Sequence, residues 1–130
     1  MKYFKFLIIF TLIIACQPTQ VDQEPVGPKL LRPKLKAIVG NKPKTIKAYI
    51  FLKNARRTIK SIDIEEEKNR MNAPEEVKFL KRYSELKEVY NSAVTSYRQM
   101  GNVEGAYDDF QRQKLVFEQK EHYLNKNFGI

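Results

Sequence analysis

The spacing of apolar residues between positions 79 and 100 constrains this chain most. Phe79, Tyr83, Leu86, Tyr90, Ala93, Tyr97 and Met100 follow one another at steps of four and three without a gap. At 3.6 residues per turn, such steps place every one of them on a single helix face; in a strand they would scatter over both faces. The stretch therefore predicts a long amphipathic helix that must bury its stripe against a partner. Pro74-Glu75-Glu76 suits the first turn, because proline loses nothing by lacking an N–H there and carboxylates favour the positive end of the dipole. Gly101-Asn102 suits the end, since both tolerate a left-handed backbone.

Two shorter stripes supply the partners. Ala48, Leu52, Ala55, Ile59 and Ile62 again run at steps of four and three, with Ile46, Tyr49 and Ile50 widening the face near its start. This helix is expected to begin near Pro43–Lys44 and to fray after Glu67, where Asn69-Arg70-Met71-Asn72-Ala73-Pro74 marks a break. A third helix is expected to carry Val103, Ala106, Phe110, Phe117 and Leu124 on one face, interrupted by Gln113 and Lys120 and widened by Tyr107. Asn125-Lys126-Asn127-Phe128-Gly129 ends it. The short connection at Gly101-Asn102 makes the last two helices an antiparallel αα-hairpin. The expected fold is all-α: a small antiparallel three-helix bundle, in which the first helix closes over that C-terminal hairpin. Aromatic rings, each burying 150–250 Å², fill much of its core.

The region before residue 44 has a different character. Pro18, Pro25, Pro28, Pro33 and Pro43 interrupt it, together with Gly27 and Gly40, and no apolar periodicity accompanies them. Each proline fixes φ and biases its predecessor away from the helix. The segment reads as an extended, solvated tether of at most about 80 Å, at ~3.1 Å per residue. Ahead of it, Met1-Lys2-Tyr3-Phe4-Lys5 is basic, Phe6 to Ile14 is almost wholly apolar, and Ala15-Cys16 closes the run. A basic start, a short apolar stretch and small residues at the cut describe a secretory signal. The Ala15-Cys16 ending resembles the lipobox of bacterial lipoproteins. That resemblance implies cleavage before Cys16, thioether lipidation of its sulfur, and a mature protein held on a membrane by acyl chains. A plain signal peptide and an N-terminal membrane anchor are the alternatives; Phe6–Ala15 is shorter than the ~20 apolar residues a span requires. The organisation is then a lipoprotein signal peptide at 1–15, a lipidated cysteine and tether at 16–43, and a helical domain at 44–130.

Composition argues against several chemistries. Cys16 is the single cysteine, so the mature domain has no disulfide. With one histidine, His122, the usual zinc sets are out of reach, and no GxSxG, P-loop or HExxH motif occurs. His122, between Glu121 and Tyr123 near a helix end, reads as a surface or capping residue. The expectation is a non-enzyme without cofactor or metal.

Residues 87–120 resemble one tetratricopeptide repeat. Tyr90, Tyr97, Gly101, Asn102, Ala106 and Phe110 stand where that family places its large aromatics, its turn residues and its small contact alanine. Val94, Gln113 and Glu118 depart from the pattern, and no second copy lies 34 residues upstream. The resemblance implies a groove for peptides or proteins. Packing reasons alone give these residues work: Ala106 lets two helices approach while Tyr97 and Phe110 fill the crevice beside it.

Charge is the remaining signal. Removing Lys2 and Lys5 with the signal lowers the formal net charge from +9 to +7. From Lys29 to Lys60 there are eleven basic residues and no acidic one, whereas Ser61–Ile130 carries eleven basic and thirteen acidic. Lys53, Arg56, Arg57 and Lys60 lie off the Leu52/Ile59 stripe and are expected to face solvent, where a protein or polyanionic partner would meet them. Anionic headgroups attract lysines near a membrane by about 1 kcal/mol each, and anionic glycans would respond similarly; no specific nucleic acid is expected. A solvated, merely solubilising charge run is the alternative. The chain as a whole, with its lipobox, lysine-rich tether and compact helical domain, resembles the small lipoproteins of spirochaetes, among them the Borrelia orf-D-type plasmid-encoded lipoproteins. The resemblance implies an envelope protein without a catalytic role. Gln17 after Cys16, in place of the aspartate that retains enteric lipoproteins at the inner membrane, points to the outer membrane. A structural or accessory envelope protein, held by its basic segment to its own membrane or an assembly, is the alternative function.

Overall fold

The computed structural model describes residues 28–35 and 43–130. The signal segment and Cys16 lie outside these residues. The described chain is helical: α1 at Pro43–Ser61, α2 at Ile64–Asn69, α3 at Ala73–Gln99 and α4 at Ala106–Phe128. No described helix is long and apolar enough to cross a membrane.

The helix α3 is the spine. Asn72 caps it, its side chain accepting from the Glu75 amide at 2.9 Å while the Glu75 carboxylate accepts from the Asn72 amide at 3.2 Å. This reciprocal capping box satisfies two N–H groups that a helix start leaves without partners. Phe79, Tyr83, Leu86, Tyr90, Ala93 and Tyr97 are buried as their spacing predicts, joined by Val94 and by Lys87, whose stem runs through the core. Antiparallel to α3, α4 buries Ala106, Phe110, Phe117 and Leu124. The two helices form the expected hairpin, and α1 lays Ala48, Leu52, Ala55 and Ile59 against α3. Phe51, which the stripe did not single out, reaches α4 edge-on: its ring centroid lies 6.1 Å from Phe110 and 5.7 Å from Phe117.

Four expectations need correction. The first helix does not run to Glu67. It stops at Ser61, and Asp63 starts α2 by accepting from the Glu66 amide at 3.2 Å; an aspartate at that position favours a new N-cap over continuation. Ile50 is 50% exposed, so the apolar face of α1 is narrower than its composition suggests. Val103 is not on the α4 face: it is 49% exposed and precedes the helix. The reason is Gly105, whose left-handed φ of 83° delays the helix start to Ala106. With Gly101 at φ 90°, the hairpin turn uses two left-handed glycines where one was expected.

The fourth correction concerns the tether. Residues 28–35 are extended, as their prolines require, yet they are not a free spacer. Leu30 and Leu31 pack on the core and Pro33 is buried. The Leu31 amide donates to Asn91 Oδ1 at 2.9 Å, Asn91 Nδ2 donates to the Lys29 carbonyl at 2.8 Å, and the Tyr90 hydroxyl donates to the Leu31 carbonyl at 2.8 Å. Arg98 Nη2 donates to the Arg32 carbonyl at 2.9 Å. From Lys29 to Arg32 the strap therefore travels in the same direction as α3 from Asn91 to Arg98. Three extended steps and seven helical ones both cover roughly 10 Å, so the two registers match.

Candidate functional site

The docked strap and α1 form the two walls of an open groove of about 770 Å³. Arg32, Pro33, Lys34 and Leu35 come from the strap; Tyr49, Lys53, Arg56, Arg57 and Lys60 come from α1. Six cationic side chains thus converge, no acidic residue lines the groove, and none of the six is ion-paired among the described residues. Ion pairs among the described residues lie elsewhere, on or beside α2, α3 and α4, among them Lys68 with Glu65 and Glu76, Arg70 with Glu67, Arg82 and Lys120 with Glu85, and Arg112 with Asp109.

All four basic residues singled out on the first helix fall in this groove. Their positions explain why. Tyr49, Lys53, Arg56 and Lys60 each follow by one residue the core positions Ala48, Leu52, Ala55 and Ile59. One residue is a 100° rotation on a helix, so the cationic stripe stands beside the buried one, at the edge where the strap lies. Lys53, Arg57 and Lys60 are exposed, whereas Arg56 is half-buried. Its Nε is sealed from solvent with no hydrogen-bond partner. Close by, burial raises the Tyr90 hydroxyl well above its ordinary range, with the Arg56 and Arg98 guanidinium charges opposing part of that rise. Tyr90 therefore stays a neutral donor to the strap at all ordinary pH values.

Sequence reasoning missed Arg32, Lys34, Tyr49 and Asn91 as site residues. Arg32 and Lys34 were visible as members of the basic run, but nothing in their neighbourhood says that the strap turns back onto α3. The stripe offset by one from the core was legible and would have added Tyr49. Asn91 has a quieter signal: a polar residue beside the buried Tyr90 in the middle of the strongest apolar helix.

The hairpin residues have structural roles. Tyr90, Tyr97, Ala106 and Phe110 are all buried, and Gly101 takes the turn's left-handed backbone. Tyr107 is half-buried beneath the Lys44 ammonium, 4.6 Å from its ring centroid, so it is not the freely exposed contact a binding hairpin would present. His122 is exposed on α4. Among the described residues no group of three or more His, Cys, Asp or Glu could hold a metal ion.

The groove's chemistry is that of anion recognition. Three of its six cations are arginines, whose planar forks bind sulfate, phosphate or carboxylate through paired N–H donors. Among the described residues its single aromatic is Tyr49, partly committed to Tyr97 with ring centroids 6.5 Å apart, so they provide no platform for stacking successive bases. Comparison of the chain with protein-family models, with curated proteins and with solved structures finds no match.

Proposed function

We propose that this chain is a lipid-anchored envelope protein whose basic groove is a non-catalytic binding site for a linear anionic glycan. The observation that carries the reading is the convergence of six cations on a single concave surface, without one carboxylate among the described residues that line it. Cations scattered for solubility would be interleaved with acids, as they are on α2 and α3. Concavity separates the glycan from the chain's own membrane as ligand. An open groove about the size of an ordinary ligand site can cradle a narrow chain lying along it, whereas a bilayer surface would touch mainly its rims. Anchoring rests on the Ala15-Cys16 ending, and outer-membrane placement on Gln17.

The test is binding of a defined sulfated oligosaccharide to the detergent-solubilised full chain and to Arg57→Glu/Lys60→Glu. Both residues are exposed, so their reversal leaves the core intact. Two reversed charges, at about 1 kcal/mol or more each, should weaken binding at least thirtyfold at low salt. The far-UV spectrum and melting temperature should not change. Unchanged affinity would end the reading. Retention on anionic vesicles without oligosaccharide binding would transfer the groove to the membrane-holding alternative. Protease accessibility on intact cells, compared with permeabilised ones, then decides whether the groove faces outward.

A further inference from the structure

The groove has one wall built on a helix and one built on a strap that carries no secondary structure of its own. Arg32 and Lys34 reach the site only because Lys29–Arg32 is latched to α3. Asn91 makes two of the four latching hydrogen bonds, to the Leu31 amide and the Lys29 carbonyl. It is uncharged and does not line the groove. Docking also brings two strap cations up to four on α1, with no carboxylate of the described residues lining the groove between them. That like-charge approach opposes docking, while the latch and the burial of Leu30, Leu31 and Pro33 favour it.

We propose that the strap is a movable wall of the groove, latched by Asn91, and that an anionic chain bound across both walls locks it down. An anion between the walls removes the repulsion that opposes docking, so it binds the docked state more tightly than the undocked one. By linkage, docking must then strengthen anion binding by the same factor that the anion strengthens docking. Asn91 is a positioning residue, acting on the ligand only through the strap. One consequence reaches the lipid anchor. With the strap free, the tether from Cys16 to Pro43 has 27 steps and extends at most about 80 Å; with the strap docked, twelve steps remain between Cys16 and Pro28, at most about 37 Å. If Cys16 is the anchor, ligand capture therefore shortens the greatest distance at which the domain can stand from the surface that holds it.

The inference rests on the anionic-ligand reading of the groove, and its test separates the two. The sulfated oligosaccharide is titrated against the full chain and against Asn91→Ala at several salt concentrations. Hydrogen exchange at the Leu31 amide, whose proton is held by Asn91, reports strap docking directly. Removing two hydrogen bonds of ordinary strength should lower the docking constant about tenfold or more. The coupling predicts at least threefold weaker oligosaccharide binding by Asn91→Ala. It also predicts a shallower salt dependence, because Arg32 and Lys34 no longer release counterions, although no charge was altered. In the unsubstituted chain the oligosaccharide should slow Leu31 exchange severalfold. Tyr90→Phe, which removes one latch bond while keeping the buried ring, should move the same three readouts in the same direction and guards against a folding defect in the first variant. If affinity and salt slope are unchanged in both variants while Arg57→Glu/Lys60→Glu abolishes binding, the groove is a rigid anion site and the strap proposal is wrong. If that charge reversal leaves binding intact, the groove reading itself fails.

Discussion

Leu52 and Ile50 lie two residues apart on α1, are both branched aliphatics, and should respond to truncation very differently. Leu52 is fully buried in the face that α1 lays on α3, while Ile50 is 50% exposed. Leu52→Ala removes the transfer free energy of the lost carbons and leaves a cavity that neighbours fill only in part. Buried leucine truncations cost ~2–5 kcal/mol, and α1, as the outermost helix of the bundle, can settle inward somewhat, which argues for ~3 kcal/mol. Ile50→Ala loses about half as much apolar contact and gains a few tenths of a kcal/mol in helix propensity, so its net effect should stay below ~1 kcal/mol. A domain of this size has ~4–13 kcal/mol of stability in all, so the first change is severe. Its melting temperature should fall by roughly 12–24 °C, at about 4–8 °C per kcal/mol. The assay is thermal and urea unfolding followed by far-UV circular dichroism. Equal shifts for the two variants, or a Leu52→Ala effect under ~1 kcal/mol, would refute the placement of α1. A change in urea m-value without a change in midpoint would mean that α1 unfolds separately from the hairpin.

Asn72→Ala should cost ~1 kcal/mol in urea unfolding, because it removes the side-chain half of the capping box and strands the Glu75 amide, whereas Asn72→Asp should be nearly neutral. The Glu85 carboxyl is held below its ordinary value of 4.5, first by the hydrogen bond from Arg82, against the opposing effect of burial, and then by the hydrogen bond and charge of Lys120. A depressed carboxyl contributes stability that is present above its unfolded value and lost as pH falls through the folded one. Glu85→Gln should therefore be less stable at pH 7 by under ~1 kcal/mol, and the difference should vanish in acid unfolding as pH falls below the ordinary carboxylate range. Cys16→Ser should abolish incorporation of radiolabelled palmitate in growing cells and leave the leader attached, since the sulfur is the acceptor that the lipobox reading requires.

The hairpin was legible because it rests on local, periodic features. A stripe at steps of four and three fixes a helix and its buried face together, and fourteen of the fifteen buried apolar residues fall on the three faces read from the sequence, Val94 being the exception. Breaks were harder. Asp63 and Gly105 each shorten a helix through one residue's backbone preference, and such a preference competes with apolar periodicity at a similar energy, so a pattern continuing past it misplaces Val103. Of the site's cations, Lys53, Arg56, Arg57 and Lys60 were legible from their offset from the Leu52/Ile59 stripe, whereas Arg32 and Lys34 were legible only as composition, because a linear count of charge carries no information about which wall faces which.

By itself, then, the sequence determined the three main helices, their buried faces, the antiparallel pairing of α3 with α4, and the cationic character of residues 29–60. Each depends on spacing within one element or on a short connection. Only the tertiary structure decided that residues 28–35 return to α3, that Asn91 and Tyr90 hold them there, and that Arg32 and Lys34 face Lys53, Arg56, Arg57 and Lys60 across a groove. Those contacts join residues about 60 positions apart through backbone carbonyls and amides, which every residue possesses and no side-chain pattern announces.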